Sequence, residues 1–443
     1  MKTRIEIART GTITEEVRQT AEAEGVPAAQ LAEDIAFGRA VIARNAGRRR
    51  ESENPSQGSH PSLGSHPPLA IGRGLRTKVN ANIGTSKDRD SLDEEKAKLD
   101  ILLKYGADAV MDLSTGGRIR ELRRLILDSY PFCFGTVPIY EAAVAAAERH
   151  GTIQKMTADD LFSAIERHAE EGVDFVTVHV GITRKAVERL KSEGRVLDVV
   201  SRGGSFLLEW MVFNGRENPL YEDYGRLLDI ARRHDLTLSL GDAMRPGCIE
   251  DATDRAQMEE LLVLGELRDA ALEAGVQVII EGPGHVPLNQ VELNIKLQKE
   301  ICKGAPFYVL GPLVTDAGVG YDHIAGAIGG AIAGAAGADF LCYLTPSEHI
   351  RLPDLADVKE GLMASRIAAH AADLAKGVPF AMERDKKMAR MRKALDWEGM
   401  IRLAFDPEKV RDFRSAIPPS EKDVCSMCGP FCAIRTVERA LKK

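Results

Sequence analysis

The sequence has no hydrophobic stretch long enough for a membrane helix and no core of a signal peptide. Its longest apolar run, residues 324–338, is mostly glycine and alanine and falls short of the ~20 residues that span a bilayer. The opening segment, MKTRIEIARTG, lacks the apolar core that directs secretion. We therefore expect a cytoplasmic protein with no membrane partner.

The composition also lacks the positive charge of proteins that bind nucleic acid non-specifically. The 443 residues carry a net charge of −7, so no global basic field attracts phosphates, and we expect no nucleic-acid partner. A hydrophobic fraction of 44% excludes wholesale disorder. The length allows roughly two to four domains, or one large α/β barrel with appendages.

Cysteine is scarce and unevenly placed. Three of the seven cysteines, Cys425, Cys428 and Cys432, lie within eight residues near the C-terminus. An odd number in a cytosolic-looking chain argues against a disulfide framework, so the group indicates a metal or cluster site. The other four stand alone, and we expect them to be small barrel residues without a role. They are Cys133, Cys248, Cys302 and Cys342.

Short apolar runs alternate with longer amphipathic segments from about residue 76. The runs are KVNANIG (78–84), ADAVMDLS (107–114), FCFGTVP (132–138), DFVTVHVG (174–181), LDVVSRGG (197–204), LTLSLGD (236–242), VQVIIEGPGH (276–285), PFYVLGP (306–312) and ADFLCYLTP (338–346). Continuous apolar strands alternating with helices indicate parallel βαβ units. Eight or nine units over about 270 residues predict an α/β fold, a (β/α)8 TIM-type barrel. A doubly wound sheet is the alternative, but no GxGxxG follows the first strand.

The flanking segments divide the chain into four predicted regions. Residues 1–75 form an N-terminal helical segment that ends in a flexible loop at 47–68, which is polar and repeats GSHP. Residues 76–355 form the barrel, 356–414 a C-terminal helical region, and 415–443 the cysteine tail. The glycine spacing of AGAIGGAIAGAAGA (325–338) predicts a helix packed closely against a neighbour.

Nearly every predicted strand ends in polar or glycine-rich residues. In a parallel barrel these carboxyl ends share one rim, where the active sites of such barrels lie. We therefore expect residues far apart in sequence to meet around one cavity. They are Asn80, Asn82, Asp112, Ser114, Tyr140, His179, Ser201, Arg202, Gly203, Gly204, Asp242, Glu281, His285, Thr345 and His349.

Two loops at this rim suit an anion. In SRGG (201–204), a hydroxyl, a guanidinium fork and exposed backbone N–H groups can bind phosphate. In GDAMRPG (241–247), Asp242 and Arg245 lie on a similar loop. The alternative for SRGG is a plain strand-to-helix turn with a surface arginine. The alternative for GDAMRPG is a structural Asp–Arg pair.

The rim also brings histidines from different strands within reach of one divalent metal. His285 in EGPGHVP and His349 would supply two imidazoles and leave positions open for substrate or water. His323 in GYDH is a rival for this role. A hydrogen-bonded structural histidine is the alternative in each case.

The tail segment DVCSMCGPFCAIR (423–435) spaces its thiols as Cys-x2-Cys-x3-Cys. A structural zinc site usually has four protein ligands, and no fourth cysteine or histidine lies nearby in the sequence. A [4Fe–4S] cluster on three cysteines leaves one iron open, which can chelate S-adenosylmethionine and deliver an electron to its sulfonium. The spacing favours the cluster and leaves zinc open, and the apolar Met427 and Phe431 favour a dry pocket.

The motifs follow one another in a fixed order: KVNANIGTS, MDLSTGG, GTVPIYEAA, VSRGGS, SLGDAMRPG, EGPGHVP, APFYVLGPL, GYDH, FLCYLTPSEH, AAHAADLAKG and CSMCGPFC. Over nearly the whole chain, this series resembles the phosphomethylpyrimidine synthase family of radical S-adenosylmethionine enzymes. The family includes thiamine-pathway enzymes and a paralogue, 5-hydroxybenzimidazole synthase, of the anaerobic cobalamin pathway. Both start from 5-aminoimidazole ribotide.

The resemblance implies a barrel with a cluster-bearing tail, a homodimer that exchanges its tails, and a reducing electron donor. Cys425, Cys428 and Cys432 would hold the [4Fe–4S] cluster and act in catalysis with Glu281. The metal ligands His285 and His349 would bind a second divalent ion, zinc or iron. The residues that would contact the ribotide are Asn82, Met111, Tyr140, His179, Ser201, Arg202, Gly203, Asp242, Ala243, Met244, Arg245, Glu281 and Tyr308.

Four segments depart from the thiamine enzymes. Their GDGLRPG is GDAMRPG here, with Ala243 and Met244, and their TDIAPGYDH is TDAGVGYDH, with changes at 317–319. Their WExQF reads WEGMI (397–401), and the last two cysteines are one residue closer. Because the first two changes lie at the expected rim, they predict an altered cavity.

We therefore expect a radical lyase that takes hydrogen from the ribose of the ribotide and yields 5-hydroxybenzimidazole. The alternative product is the pyrimidine phosphate of thiamine synthesis. A zinc-dependent barrel hydrolase or aldolase is the second alternative.

Overall fold

The computed structural model describes residues 2–48, 68–419, 421 and 423–441. The chain divides into two compact units, Met1–Ala372 and Asp373–Lys443. The boundary falls inside the predicted C-terminal helical region, and the four regions drawn from the sequence stay a prediction. The flexible loop expected at 47–68 lies almost entirely outside the described residues.

Within the described residues, the first unit contains a closed barrel of eight parallel strands, which confirms the predicted (β/α)8 fold. The strands of the unit are β1 (Ala40–Ala43), β2 (Leu69–Gly72), β3 (Lys78–Ile83), β4 (Ala109–Asp112), β5 (Cys133–Thr136), β6 (Phe175–Val178), β7 (Thr237–Leu240), β8 (Val278–Gly282), β9 (Phe307–Leu310) and β10 (Phe340–Cys342). The barrel runs from β3 to β10, with β10 pairing back onto β3. The strand residues are almost all buried, as expected where helices cover a parallel sheet.

Helices connect these strands and form the second unit. They are α1 (Arg4–Arg9), α2 (Glu15–Glu24), α3 (Ala28–Ala36), α4 (Leu92–Tyr105), α5 (Ile119–Ser129), α6 (Pro138–His150), α7 (Ala158–Glu170), α8 (Arg184–Glu193), α9 (Arg202–Asn214), α10 (Pro219–Glu222), α11 (Tyr224–His234), α12 (Arg255–Glu273), α13 (Leu288–Ile301), α14 (Asp322–Ala336), α15 (Leu355–Lys376), α16 (Pro379–Ala394), α17 (Trp397–Leu403), α18 (Pro407–Ala416) and α19 (Ala433–Leu441). Side-chain caps at Ser91, Thr157, Thr183 and Asp254 begin four of them and satisfy backbone N–H groups there.

Aromatic rings fill the barrel interior near the start of the strands. The rings of Phe175 and Phe340 meet edge to face with their centroids 6.2 Å apart, and Tyr308 lies 4.4 Å from Phe340. A Cβ on Gly135 would lie 2.2 Å from the Phe175 ring, so glycine makes room for it. The interior space that remains lies toward the carboxyl ends of the strands.

The expected strand at 197–204 is wrong. The Asp251 carboxylate accepts the backbone N–H groups of Val196 and Leu197 at 2.8 and 2.9 Å. Ser201 then caps α9. Because these N–H groups bond to a side chain, they do not join a sheet ladder.

The N-terminal segment is also not purely helical. Strand β1 pairs antiparallel with β2, and the Gln277 side chain exchanges two hydrogen bonds with the backbone of Ile42. Pairing across the 25 residues between Ala43 and Leu69 leaves no local signal, because the four residues of β1 are too few to show a period.

The glycine-rich helix α14 packs closely against its neighbours, as its spacing predicts. A Cβ on Gly329 would lie 1.9 Å from the carbonyl oxygen of Pro312, and one on Gly334 would lie 2.6 Å from Ala372. In the part of the chain that the structure describes, none of the helices has both the length and the apolar character that crossing a bilayer takes.

Candidate active site

A cleft opens at the carboxyl ends of the barrel strands, with an empty volume of about 530 Å³ including its mouth. The sequence-predicted residues that line it are Asn82, Met111, Tyr140, His179, Ser201, Asp242, Arg245, Glu281 and Tyr308. The other lining residues are Leu113, Val137, Thr177, Gly282, Val309, Leu310 and Cys342.

Strand register explains why these distant residues meet. Asn82 of β3 lies in register with Met111 of β4, and Glu281 of β8 lies in register with Tyr308 of β9. Registered residues on neighbouring strands stand at one height and point to the same face. Polar residues at the strand ends therefore form one layer at the rim.

Glu281 is held in the cleft by hydroxyl groups from two neighbouring strands. Its Oε1 accepts hydrogen bonds from Ser239 Oγ at 2.6 Å and from Thr177 Oγ1 at 2.7 Å. Burial raises the pKa of Glu281, while the two hydroxyls and the Arg245 charge oppose that shift. A carboxyl with a raised pKa at a cleft can exchange a proton with a bound substrate.

Asp242 and Arg245 form a partly buried pair with spare hydrogen-bonding capacity. Arg245 Nη1 donates to Asp242 Oδ1 at 3.2 Å. Burial raises the pKa of Asp242 well above its usual value, and the Arg245 charge opposes the shift. Asp242 Oδ2 is buried and makes no hydrogen bond to any described residue. Because an unpaired buried oxygen is costly, this atom is suited to a polar ligand group.

His179 lines the cleft as a neutral imidazole. Burial, aided by the Arg245 charge, lowers its pKa to about 3. Its buried Nδ1 makes no hydrogen bond within the described structure. A Cβ on Gly203 would lie 2.3 Å from His179 Cε1, so α9 approaches the ring only because residue 203 is glycine.

Acidification should lower the free energy of unfolding through His179. The unfolded chain binds this proton near its ordinary pKa of about 6.5, whereas the folded chain binds it only near pH 3. The stabilisation is therefore complete above pH 6.5 and lost as the pH falls toward 3. His179→Asn should remove about 1.4 kcal/mol of the stability difference between about pH 7.5 and pH 5.5 in denaturant titrations. An unchanged difference in His179→Asn would refute the assignment.

Ser201 and Arg202 occupy the start of α9. Ser201 Oγ accepts the Gly204 N–H at 3.2 Å and faces the cleft. Arg202 is exposed and lies 5.1 Å from the centre of the Tyr140 ring, while neither it nor Gly203 lines the cleft. The chain thus turns into α9 at Ser201 without a preceding strand, and the N-terminus of this 13-residue helix is favourable for an anion.

Ala243 and Met244, expected to contact the ribotide, do not face the cleft. Both side chains are fully buried, and neither lines the cleft. Their N–H groups bind the Glu260 carboxylate, which holds this part of the loop against the interior. The changed segment 317–319 does not line the cleft either.

His285 and His349 come together, with ring centroids 5.3 Å apart. His285 Nδ1 lies 2.7 Å from Asp316 Oδ1, and His349 Nδ1 lies 3.0 Å from Asp322 Oδ1. A carboxylate on Nδ1 fixes the proton there and leaves Nε2 as the nitrogen with a free lone pair, the arrangement of metal-binding histidines. Within the described residues, no set of three His, Cys, Asp or Glu side chains forms a metal site.

The sequence reasoning missed Cys342 at the cleft. Cys342, expected to have no role, lines the cleft and accepts a hydrogen bond from Asn82 Nδ2 at 3.0 Å. Asn80, expected at the rim, donates from Nδ2 to the Tyr308 hydroxyl at 2.8 Å and so orients it. The alternation of inward-facing residues along β3 and β10 is the signal that could have identified Cys342.

The tail thiols lie in the second unit, around a short 3₁₀ turn (Gly429–Phe431) before α19. All seven cysteines fall within the described residues and are free thiols. Backbone N–H groups of Cys428 and Met427 bond to the Cys425 sulfur and lower its pKa, which favours the thiolate. In the described structure the three thiols are not drawn together into one ligand set.

The dry pocket expected beside these thiols is not formed within the second unit. Met427 is 91% exposed and Phe431 is 85% exposed. Both apolar side chains flank the thiols and therefore present an uncovered apolar surface next to them.

Comparisons with known proteins assign nearly the full chain to one family. The model of a family described as the radical SAM ThiC family matches residues 3–439. A phosphomethylpyrimidine synthase of Thermodesulfovibrio yellowstonii is 61% identical over 441 residues, covering 99% of this chain and 100% of that protein. Similarly named proteins of Moorella thermoacetica and Geobacter metallireducens are 58% and 56% identical, each over 100% of this chain and over 99% and 98% of their own lengths.

Proposed function

We propose that this chain, which belongs to the radical SAM ThiC family, converts 5-aminoimidazole ribotide to 4-amino-5-hydroxymethyl-2-methylpyrimidine phosphate for thiamine biosynthesis. Membership means an enzyme that uses a [4Fe–4S] cluster and S-adenosylmethionine. The observation that carries the proposal is 61% identity, along 99% of the chain, to a phosphomethylpyrimidine synthase. Because the skeleton of the ribotide is broken without hydrolysis, we assign the reaction to the lyases.

The expected product 5-hydroxybenzimidazole is wrong. Relatives with 54–61% identity are named phosphomethylpyrimidine synthase. The substitutions that suggested another product, Ala243 and Met244, do not line the cleft. The zinc-dependent hydrolase or aldolase is excluded by membership of a radical SAM family.

The tail fits the family's cluster by the chemistry of its donors. Cys425, Cys428 and Cys432 are free, soft ligands, and the pKa of Cys425 is lowered toward the thiolate that iron binds. When bound, the cluster supplies the electron that splits S-adenosylmethionine into methionine and a 5′-deoxyadenosyl radical, which takes hydrogen from the ribose. A reducing donor must provide that electron.

The cleft side chains divide the binding of the ribotide among them. We assign the phosphate to Ser201 and the start of α9, where helix N–H groups attract anions. Asp242 Oδ2 and His179 Nδ1 are the unpartnered buried atoms that suit the polar edge of the aminoimidazole. We assign Glu281 and Tyr308 to hydrogen bonds with the sugar, and burial raises the pKa of both.

The second divalent metal is assigned to His285 and His349. Support comes from the paired rings and from the two aspartates that fix their tautomers. Two imidazoles leave coordination sites open for substrate or water. Zinc and iron both accept imidazole nitrogen, so the ligands alone do not choose between them.

Removing either imidazole should remove this metal. In a background with all three tail cysteines changed to alanine, so that cluster iron is absent, metal content by mass spectrometry should fall from one ion to none in His285→Ala. Asp316→Asn should weaken metal affinity by about 10- to 100-fold, because the outer partner sets the basicity of the ring. Exposed His150→Ala is the control, and full metal content in His285→Ala would disprove the assignment.

We also assign a homodimer in which the tail of one subunit serves the cleft of the other. The exposed Met427 and Phe431 beside the thiols require a covering surface, since a radical needs a dry site. Mixing Cys428→Ala chains with Arg245→Ala chains tests the exchange, because only mixed dimers then hold one intact site. Random reassembly should restore about a quarter of wild-type turnover. Absence of recovery in proven mixed dimers would show that each tail serves its own subunit.

Growth of a thiamine auxotroph tests the proposed activity. Anaerobic expression of this chain in a bacterium lacking its own phosphomethylpyrimidine synthase should restore growth without added thiamine. A Cys428→Ala chain is the matched control and should not restore it. Expressed soluble protein that fails to support growth, in a strain rescued by a known relative, would count against the proposal.

A further inference from the structure

The loop of residues 241–247 carries two cleft residues, and a buried carboxylate binds its backbone. Glu260 of α12 is 2% exposed. Its Oε1 accepts the Ala243 N–H at 2.9 Å, and its Oε2 accepts the Met244 N–H at 2.7 Å. Both N–H groups between Asp242 and Arg245 are therefore satisfied by one side chain.

Arg195 binds the same loop through a carbonyl oxygen. Its Nη2 donates to the Met244 oxygen at 2.8 Å, and its guanidinium forms two 2.6 Å hydrogen bonds with the Asp254 carboxylate. Asp254 caps α12, the helix that carries Glu260. Two buried side chains thus form hydrogen bonds with the backbone of the loop, and both are held near the start of α12.

We propose that Glu260 is a positioning residue that fixes this loop and so aims Asp242 and Arg245 into the cleft. The Asp242–Arg245 pair joins two side chains of the same loop and cannot anchor it to the barrel. Burial raises the pKa of Glu260, while the two N–H donors oppose that shift by binding both oxygens. Binding sites keep their geometry only when such supporting groups hold them.

The effect on substrate is measured with Glu260→Gln in the reconstituted holoenzyme, and this arm rests on the proposed function. The amide can accept one N–H but turns its NH2 group toward the other. We expect KM for the ribotide to rise about 10- to 100-fold, the scale of a misplaced binding group. KM for S-adenosylmethionine and cluster content should stay unchanged. Glu259→Gln is the matched control, because Glu259 pairs with Lys185 instead of the loop.

Amide hydrogen exchange tests the same role without any substrate. Peptides covering residues 241–247 should lose protection in Glu260→Gln and keep it in Glu259→Gln, while the barrel strands stay protected in both. If Glu260→Gln does not fold, Arg195→Lys replaces it, since it loses the paired bonds to Asp254. If the wild type binds no ribotide, the proposed function fails. The hydrogen-exchange measurement still tests whether Glu260 positions the loop.

Coupling to Asp242 distinguishes positioning from general stability. In an Asp242→Asn background, Glu260→Gln should weaken ribotide binding by a smaller factor than it does in the wild type, because one of the two groups it positions is already altered. Losses that multiply independently would overturn the proposal. So would an unchanged KM together with unchanged exchange in the loop.

Discussion

Replacing Cys428 with alanine should abolish turnover of the ribotide without weakening its binding. Two remaining thiols cannot hold a [4Fe–4S] cluster with one open iron, so the electron transfer that starts the reaction is lost. We expect turnover to fall at least about 10⁴-fold, as when one member of a group that acts as a unit is removed. Cys428 is exposed and the cleft belongs to the other unit, so the fold of the barrel should be untouched.

Iron content, visible absorbance and formation of 5′-deoxyadenosine measure this effect under anaerobic conditions. Cys248→Ala is the matched control, because Cys248 is an isolated, partly exposed thiol of the barrel unit. The control should keep its iron and its turnover. A Cys428→Ala protein with full iron and normal turnover would show that the tail does not hold the cluster.

Replacing Arg245 with alanine should lower kcat/KM for the ribotide by about 10²- to 10³-fold, the cost of breaking a charge pair in a binding site. Arg245 is the cation among the residues that line the cleft. Its removal leaves the carboxyls of Asp242 and Glu281 without the positive charge that opposes the rise in their pKa values. Both carboxyls should then hold protons more tightly.

Arg233→Ala is the control for a lost arginine, because Arg233 is half exposed and pairs with Glu166 on the outside of the barrel. Exposed pairs contribute about 1 kcal/mol or less, so turnover should not change. Steady-state kinetics with both variants decide the matter. Equal kcat/KM in Arg245→Ala and wild type would remove Arg245 from the site.

Much of the fold and the cleft could be predicted because the barrel repeats one pattern. Each strand is a short buried run, and the residue that ends it reaches the rim, so strand ends alone predict that Asn82, His179, Asp242 and Glu281 meet. The tail was recognisable from the spacing of its thiols. These signals are local in sequence and are therefore readable.

The features that could not be predicted are the direction in which a side chain points and the hydrogen-bond partners that are distant in sequence. Residues 243 and 244 follow a cleft residue directly, yet their side chains point into the core because Glu260 binds their N–H groups. Nothing near Asp316 in the sequence shows that it holds His285. Such pairings join residues that are close only in space, and they determine which rim residues face a ligand.

Product analysis tests the proposed activity most directly. Reconstituted, reduced protein is incubated anaerobically with 5-aminoimidazole ribotide and S-adenosylmethionine, and the products are identified by mass spectrometry. We predict 4-amino-5-hydroxymethyl-2-methylpyrimidine phosphate together with 5′-deoxyadenosine and methionine. Formation of 5-hydroxybenzimidazole instead, or cleavage of S-adenosylmethionine without consumption of the ribotide, would contradict the proposed function.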